Sequence, residues 1–267
     1  MGEVATYRRL LGARVRSELK YRTSFLTSVL AQALVTFADC VVILALFGRV
    51  PSLGGWDRGE VLVLYACSVM SFGLADAVVS PIEQTATYVR EGTFDRLLVR
   101  PASVLGQILG DEFRLRDTGR LVQASLVLAV TLASGAAVVP SVPRGLFLVP
   151  TVLCGAITFG GLFVAVNTVA FWFPGSKEVG NAFTYGGETV AHYPTHMFQP
   201  WFRRFVFFVV PVGVVTYMPG IFVLDAPNPL GIPVWVQILS PLVFVPVCGV
   251  AALVWRLGLR RYESTGS

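Results

Sequence analysis

The amino-acid sequence predicts an all-α, polytopic membrane protein. Long apolar runs recur along the chain. Only 14% of its 267 residues are charged, against 54% hydrophobic, and the mean hydropathy is +0.68. Soluble domains carry about 25% charged residues, so much of this surface needs lipid as its solvent. In lipid every backbone donor and acceptor has to be satisfied inside its own segment, which makes the apolar runs helices of roughly 20 residues. The length suits one membrane domain of several spans.

The elements follow in order. Residues 3–20 place Val4, Tyr7, Leu11, Val15 and Leu19 at helical spacing, with Arg8, Arg9, Arg14, Arg16 and Lys20 on other faces. Such a basic amphipathic helix suits a membrane surface, and residues 1–23 are assigned to it. No cleavable leader is evident in this polar, charged start. The transmembrane body covers 24–258 and a polar tail 259–267. The first span is expected over 24–47 and the second over 60–80, joined by a loop with Pro51 and Gly54-Gly55. A polar segment, 81–120, leads to a third span at 121–139, a Pro140–Pro143 turn, and a fourth at 145–172. The last span is expected over 234–257.

Between the fourth and last spans two assignments stand. In one, residues 179–199 cross and 203–224 form a re-entrant hairpin. In the other, 179–202 lie at the inner surface and 203–224 cross. Pro211 and Pro219 each remove a backbone donor and clash with the preceding turn, which disfavours one straight span and favours the first assignment. Either gives six spans. With the N-terminus inside, sixteen Lys and Arg lie on the cytoplasmic side and five outside, so the positive-inside rule places both termini in the cytoplasm.

Net charge is +5, but the basic residues sit between apolar runs, where orientation explains them and nucleic acid does not. Arginine supplies nineteen of the 21 basic residues, a composition typical of a bacterial gene of high GC content. Cys40, Cys67, Cys154 and Cys248 lie singly in apolar runs, as inert small residues do. No G-x-x-x-x-G-K-[ST] loop surrounds either lysine, so this chain holds no ATP-binding motif of that type.

The segment Arg90-Glu91-Gly92-Thr93-Phe94-Asp95-Arg96 is a helix end, a glycine break and a second amphipathic piece, closed by Pro101. An internal loop of this length with an apolar face usually docks something. With Leu97-Leu98-Val99-Arg100-Pro101 it resembles the signature after the second span of ABC-2 type exporter permeases. Tyr21-Arg22, Gly55-Trp56 with Glu60, Tyr193-Pro194, Pro211, Tyr217 with Pro219, and the tail Gly258-Leu259-Arg260-Arg261-Tyr262-Glu263-Ser264-Thr265-Gly266 match a bacterial branch of that family. The resemblance implies a dimeric six-span permease in the bacterial cytoplasmic membrane. It implies an ABC ATPase partner docked on Arg90–Arg96, and a re-entrant element before the last span. Cofactors are then absent from this chain, with ATP and Mg in the partner. A second permease copy or a related permease, and membrane lipid, are the other partners.

Polar residues inside spans are expensive and mark function. Asp39, Asp76, Glu188 and His192 are therefore candidates for a translocation path, with Asp76 otherwise a headgroup-level carboxylate. Glu188, His192 and His196 follow at intervals of four, which on a straight helix stacks them. Pro194 interrupts that stack, and no metal is expected. Ala156 and Gly160 form a small-xxx-small pair suited to close helix packing. A secondary transporter driven by an ion gradient is the alternative, although no internal repeat supports it. An intramembrane enzyme lacks a nucleophile–base pair. The substrate is not legible.

Overall fold

The computed structural model describes residues 22–111, 118–173 and 175–262. The interfacial helix read over residues 3–20 and the end of the tail lie outside these. Among the described residues the regular elements are all helical. They are α1 (Arg22–Phe47), α2 (Arg58–Val79), α3 (Thr85–Arg90), α4 (Asp95–Leu98), α5 (Val104–Asp111), α6 (Thr118–Ala133) and α7 (Val142–Leu146). Then come α8 (Leu148–Asn167), α9 (Lys177–Ala191), α10 (Pro200–Phe208), α11 (Val212–Val215), α12 (Tyr217–Leu224), α13 (Val234–Leu239) and α14 (Phe244–Arg261).

The breaks have local causes. Asp57 caps α2 through a reciprocal box: its Oδ1 accepts from the Glu60 N–H at 2.8 Å, and Glu60 Oε2 accepts from the Asp57 N–H at 2.7 Å. This satisfies donors that no preceding turn can reach. Pro81 tightens the end of α2 into a 3-10 turn over Ser80–Gln84, which passes into α3 without leaving helical geometry. Gly135 turns left-handed with φ 69° just after α6, so the third expected span ends as a helix at Ala133, short of residue 139. Helix α9 likewise stops at Ala191, before Pro194.

Among the described residues four helical runs are long and apolar enough to cross a membrane: Leu26–Phe47, Arg58–Arg90, Val142–Phe171 and Val234–Arg261. A fifth is reached only if α10 and α11–α12, bent by 73° at Pro211, count as one span. Helix α6 is apolar but has 16 residues, and α9 has 15 and a mixed composition.

The run through α2 is the axis of the molecule. Within its most apolar stretch 83% of residues are buried, against 17% for α1 and 22% for α14. Helices α6 and α8 pack on α2, with α1 on α6 and α14 on α8. The close approaches use glycine: a Cβ on Gly119 would stand 2.2 Å from the Val29 carbonyl oxygen of α1. Small residues let membrane helices approach closely where no hydrophobic force separates helix from lipid.

The bent segment starts and ends at the same end of the bundle. Before it, His196 contacts Gly54 in the α1–α2 loop. After it, Pro227 contacts Trp56 of that loop, and Asp225 pairs with Arg144 of α7 at 3.0 Å. Between these ends Val210 and Val212 approach Gly187 of α9, and Val215 approaches Gly155 of α8.

Packing at Gly119 gives a first prediction. Gly119→Leu should lower the thermal stability of the detergent-solubilised protein by about 1–3 kcal/mol or more, the usual cost of overpacking. Gly249→Ala, whose added Cβ meets nothing within 4 Å, should leave the midpoint within a degree or two.

Candidate functional site

Three groups of residues stand out, stacked along the axis from one end of the bundle to the other. The first is the elbow that follows α2. Helix α3 ends at Arg90, and Gly92 adopts φ 67°, a conformation open to glycine without a Cβ clash. The Thr93 and Phe94 N–H groups donate back to the Tyr88 carbonyl at 3.0 and 3.2 Å, so orphan donors are satisfied and the chain reverses into α4. Phe94 is fully buried, its ring 5.1 Å from Phe171 and 4.8 Å from Tyr262. Arg90, Glu91 and Arg96 are exposed, and Gly92, Thr93 and Asp95 are half-buried. The seven residues expected to contact an ATPase thus form one knuckle. Phe94 is its anchor, and the charged residues form its outer surface.

The second group lies inside the bundle. Glu188 lies on α9 and His192 is the capping residue just past its end, a turn away, and both are buried. Glu188 accepts from one Arg120 terminal nitrogen at 3.2 and 3.3 Å, and each side chain is only 11% exposed. Arg120 also lies 5.0 Å over the Phe72 ring. With the Gln32 amide oriented to satisfy both groups, its oxygen accepts from Arg120 at 2.7 and 3.2 Å. Helices α1, α2, α6 and α9 therefore meet at one guanidinium. A turn farther along, the Tyr65 hydroxyl donates to the Thr36 carbonyl at 2.6 Å and lies 3.5 Å from Gln123 Oε1. His192 stands edge-on to the Tyr65 ring at 4.8 Å. On the other side, Tyr185 of α9 reaches Glu83 at 3.0 Å and Asp76 at 3.4 Å.

Asp76 is buried at 3% exposure in contact with Tyr185. Asp39 lies at the edge of this cluster, close enough for its charge to act on Tyr65. It is exposed on the outward face of α1, among Leu34, Val35 and Val42. Arg120 was legible only as one more positive charge before the third span; the fold turns it inward. Its signal was the spacing Arg120/Gln123 on α6 beside Tyr185/Glu188/His192 on α9, polar stripes at helical period.

The third group is the far end. His196 does not join Glu188 and His192. Its Nε2 lies 2.7 Å from the Gly54 carbonyl and its Nδ1 2.9 Å from the Tyr217 hydroxyl. A carbonyl only accepts, so Nε2 carries the proton and Nδ1 accepts from Tyr217. Trp56 stacks on Tyr217 with centroids 5.4 Å apart and donates to the Pro227 carbonyl at 3.1 Å. A Cβ on Gly54 would lie 2.3 Å from His196 Nε2. This latch joins the α1–α2 loop to the bent segment. Burial lowers the His196 pKa below its ordinary 6.5, with Arg203 acting the same way and the Gly54 hydrogen bond opposing.

Comparison with family models matches residues 33–266 to the ABC-2 family transporter protein. Comparison with curated proteins and with solved structures returned no match. The family match spans most of the chain, so this protein belongs to the ABC-2 transporter family and is the membrane permease of an ABC transporter. It is a multi-pass membrane protein and a transport component, not itself catalytic. Permeases of this family usually work with an ATPase subunit.

Two predictions follow from this geometry. A depressed histidine pKa means that the folded state binds fewer protons than the unfolded one, so the latch is intact above pH 6.5 and weakens as pH falls below it. Thermal midpoints should therefore drop between pH 7 and 5 more in the wild type than in His196→Gln, which cannot titrate there. Phe94→Ala should cost about 3–5 kcal/mol through cavity formation and should raise protease cleavage between Arg90 and Arg100, whereas Arg96→Ala should leave both readouts within error.

Proposed function

We propose that this permease is the membrane half of an ATP-driven exporter, with ATP and Mg handled by a separate ATPase docked on the α3–Gly92–α4 knuckle. The single observation that carries the reading is the continuity of the knuckle with α2. The most buried helix of the bundle runs through a 3-10 turn into α3, and Phe94 pins the knuckle to Phe171 and Tyr262. A push on exposed Arg90, Glu91 or Arg96 is therefore delivered to the helix that touches α6, α8 and α9. Closing of the ATPase pair on ATP would move that axis.

Six crossings complete the reading: α1, α2, α6, α7–α8, α9 and α13–α14, with both termini in the cytoplasm of a bacterial cell. Residues 200–224 form a re-entrant element entering from outside. Shared contacts of its two ends with the α1–α2 loop and α7 support this. Irregular backbone at membrane depth is tolerated where protein covers it, and α8 and α9 cover Val210–Val215 here. The outward face of α1 is apolar apart from Asp39, whose exposure to bare hydrocarbon would be costly. A second permease covering that face places Asp39 on a central path, with Glu188, His192 and Asp76 controlling the helices behind it. The cargo is an apolar or amphiphilic molecule leaving the cytoplasm or inner leaflet.

Two experiments test this. Cysteines at Arg90 and Arg96 should crosslink to a co-expressed ATPase from the same gene neighbourhood, and a cysteine at Leu146 should not. Absence of any crosslink along 82–100 would remove the coupling role. Cysteines at Arg203 and Asn228 should both react with an impermeant thiol reagent added outside; reaction of Asn228 alone would make 203–224 a crossing.

A further inference from the structure

Between α2, α5, α8 and α14 runs a groove of about 720 Å³, within the roughly 300–1,000 Å³ range of small-molecule sites. Its walls are almost wholly apolar: Leu74 and Val78 of α2, Leu153 and Ile157 of α8, and Cys248 of α14. Along α8 the lining extends from Leu153 to Val164. At 1.5 Å per residue that is about 17 Å, close to the depth of one leaflet, half of a roughly 30 Å core.

The two ends differ. The deep end, at Leu153 and Cys248, carries no charge. At the other end Leu105 and Leu109 of α5 form the lip, beside Trp255 and Arg256. This is the end that carries the knuckle, since α5 packs on the 3-10 turn Ser80–Gln84. Arg256 is exposed and makes no ion pair among the described residues. A second groove of about 600 Å³, between α8, α9, the α10–α11 bend and α14, has no charged residue among the described residues of its lining.

We propose that the first groove is a binding site for an anionic phospholipid of the bilayer, with one acyl chain lying along α8 and its phosphate on Arg256. The depth fits a lipid tail anchored at one surface. The cation at the mouth selects the charge of the head, and Trp255, buried against Phe171, forms the floor beside it. Small residues shape the space, with Ala156, Ala251 and Ala252 among the lining. This site stands independently of any ATPase and of the direction of transport.

The test uses the full-length chain in phosphatidylcholine vesicles with a trace of phosphatidylglycerol bearing a photoactivatable acyl chain, or of phosphatidylcholine bearing the same chain. Peptides 153–164 and 248–256 are scored by mass spectrometry, with peptides around Val166 and Phe183 as the control groove. The anionic probe should label the first groove about fivefold more than the zwitterionic one, the factor expected for one arginine at an anionic surface. Both probes should label the control groove equally. Arg256→Gln should abolish the difference. Ala252→Phe should reduce labelling of the first groove by both probes and leave the control groove unchanged, which also reports that the variant is folded. Equal labelling of the first groove by the two probes, or a preference that survives Arg256→Gln, would overturn the proposal.

Discussion

The ion pair between Arg120 and Glu188 is the constraint on which the interior depends. Neither charge has bulk water at 11% exposure, and an unpaired charge at that depth is costly. Pairing fixes more than two residues. Nε and the second terminal nitrogen of Arg120 each donate to Gln32, and its flat face rests on Phe72, so one guanidinium sets the relative height of α1, α2, α6 and α9. Helix α9 needs such a tie. It is short, and its polar face would be unsatisfied against lipid. Once Glu188 is held, Tyr185 falls opposite Asp76 and Glu83, and His192 falls against Tyr65. The ladder of polar contacts follows from one registration.

From that registration the two ends of the molecule acquire their roles. Helix α2 carries Trp56 just before its capping box, Tyr65 and Phe72 in its middle, and Asp76 and Glu83 at and beyond its end. It therefore touches the outer latch, the buried pair and the knuckle in turn. A rigid element with contacts at each level is the physical requirement for coupling between distant sites. The bent segment of residues 200–224 is held at its ends by the latch, and its middle rests on α8 and α9. Under the proposed coupling role, a movement of α2 would reach both the knuckle and the latch.

Much of this arrangement was legible in the sequence because lipid restricts the menu. Apolar runs located α1, α2, α8 and α14, and Gly92 and Pro211 marked breaks through local backbone chemistry, whereas the Asp57–Glu60 cap of α2 emerged only from the structure. The lengths of α6 and α9 were not legible. Residues 134–139 are apolar and read as span, yet Gly135 reverses the chain there. Residues 192–199 read as the end of a crossing interrupted at Pro194, and the His196 contacts with Gly54 and Tyr217 emerged only from the structure. The candidate path residues divided in the same way. Glu188 and His192 share a helix face and came together as the spacing implied. Asp39 sits at the exposed edge of the buried stripe Thr36, Cys40 and Ile43 on α1, and no feature of a single apolar helix says which face meets its neighbours. Arg120 was hidden because an arginine at the edge of a span ordinarily reaches back to the headgroups; only the position of Glu188 in space turns it inward.

The claim that the buried pair registers the bundle is tested most directly by a double-mutant cycle in thermal stability of the detergent-solubilised protein, using Arg120→Met, Glu188→Leu and the double variant. Each single change leaves a buried charge without its partner and should cost about 3–5 kcal/mol. The double change removes both charges and should cost far less than the sum, with a coupling of at least about 2 kcal/mol. Additive costs within about 0.5 kcal/mol would contradict the account, because the two side chains would then act independently and the registration of α9 would have to come from packing alone.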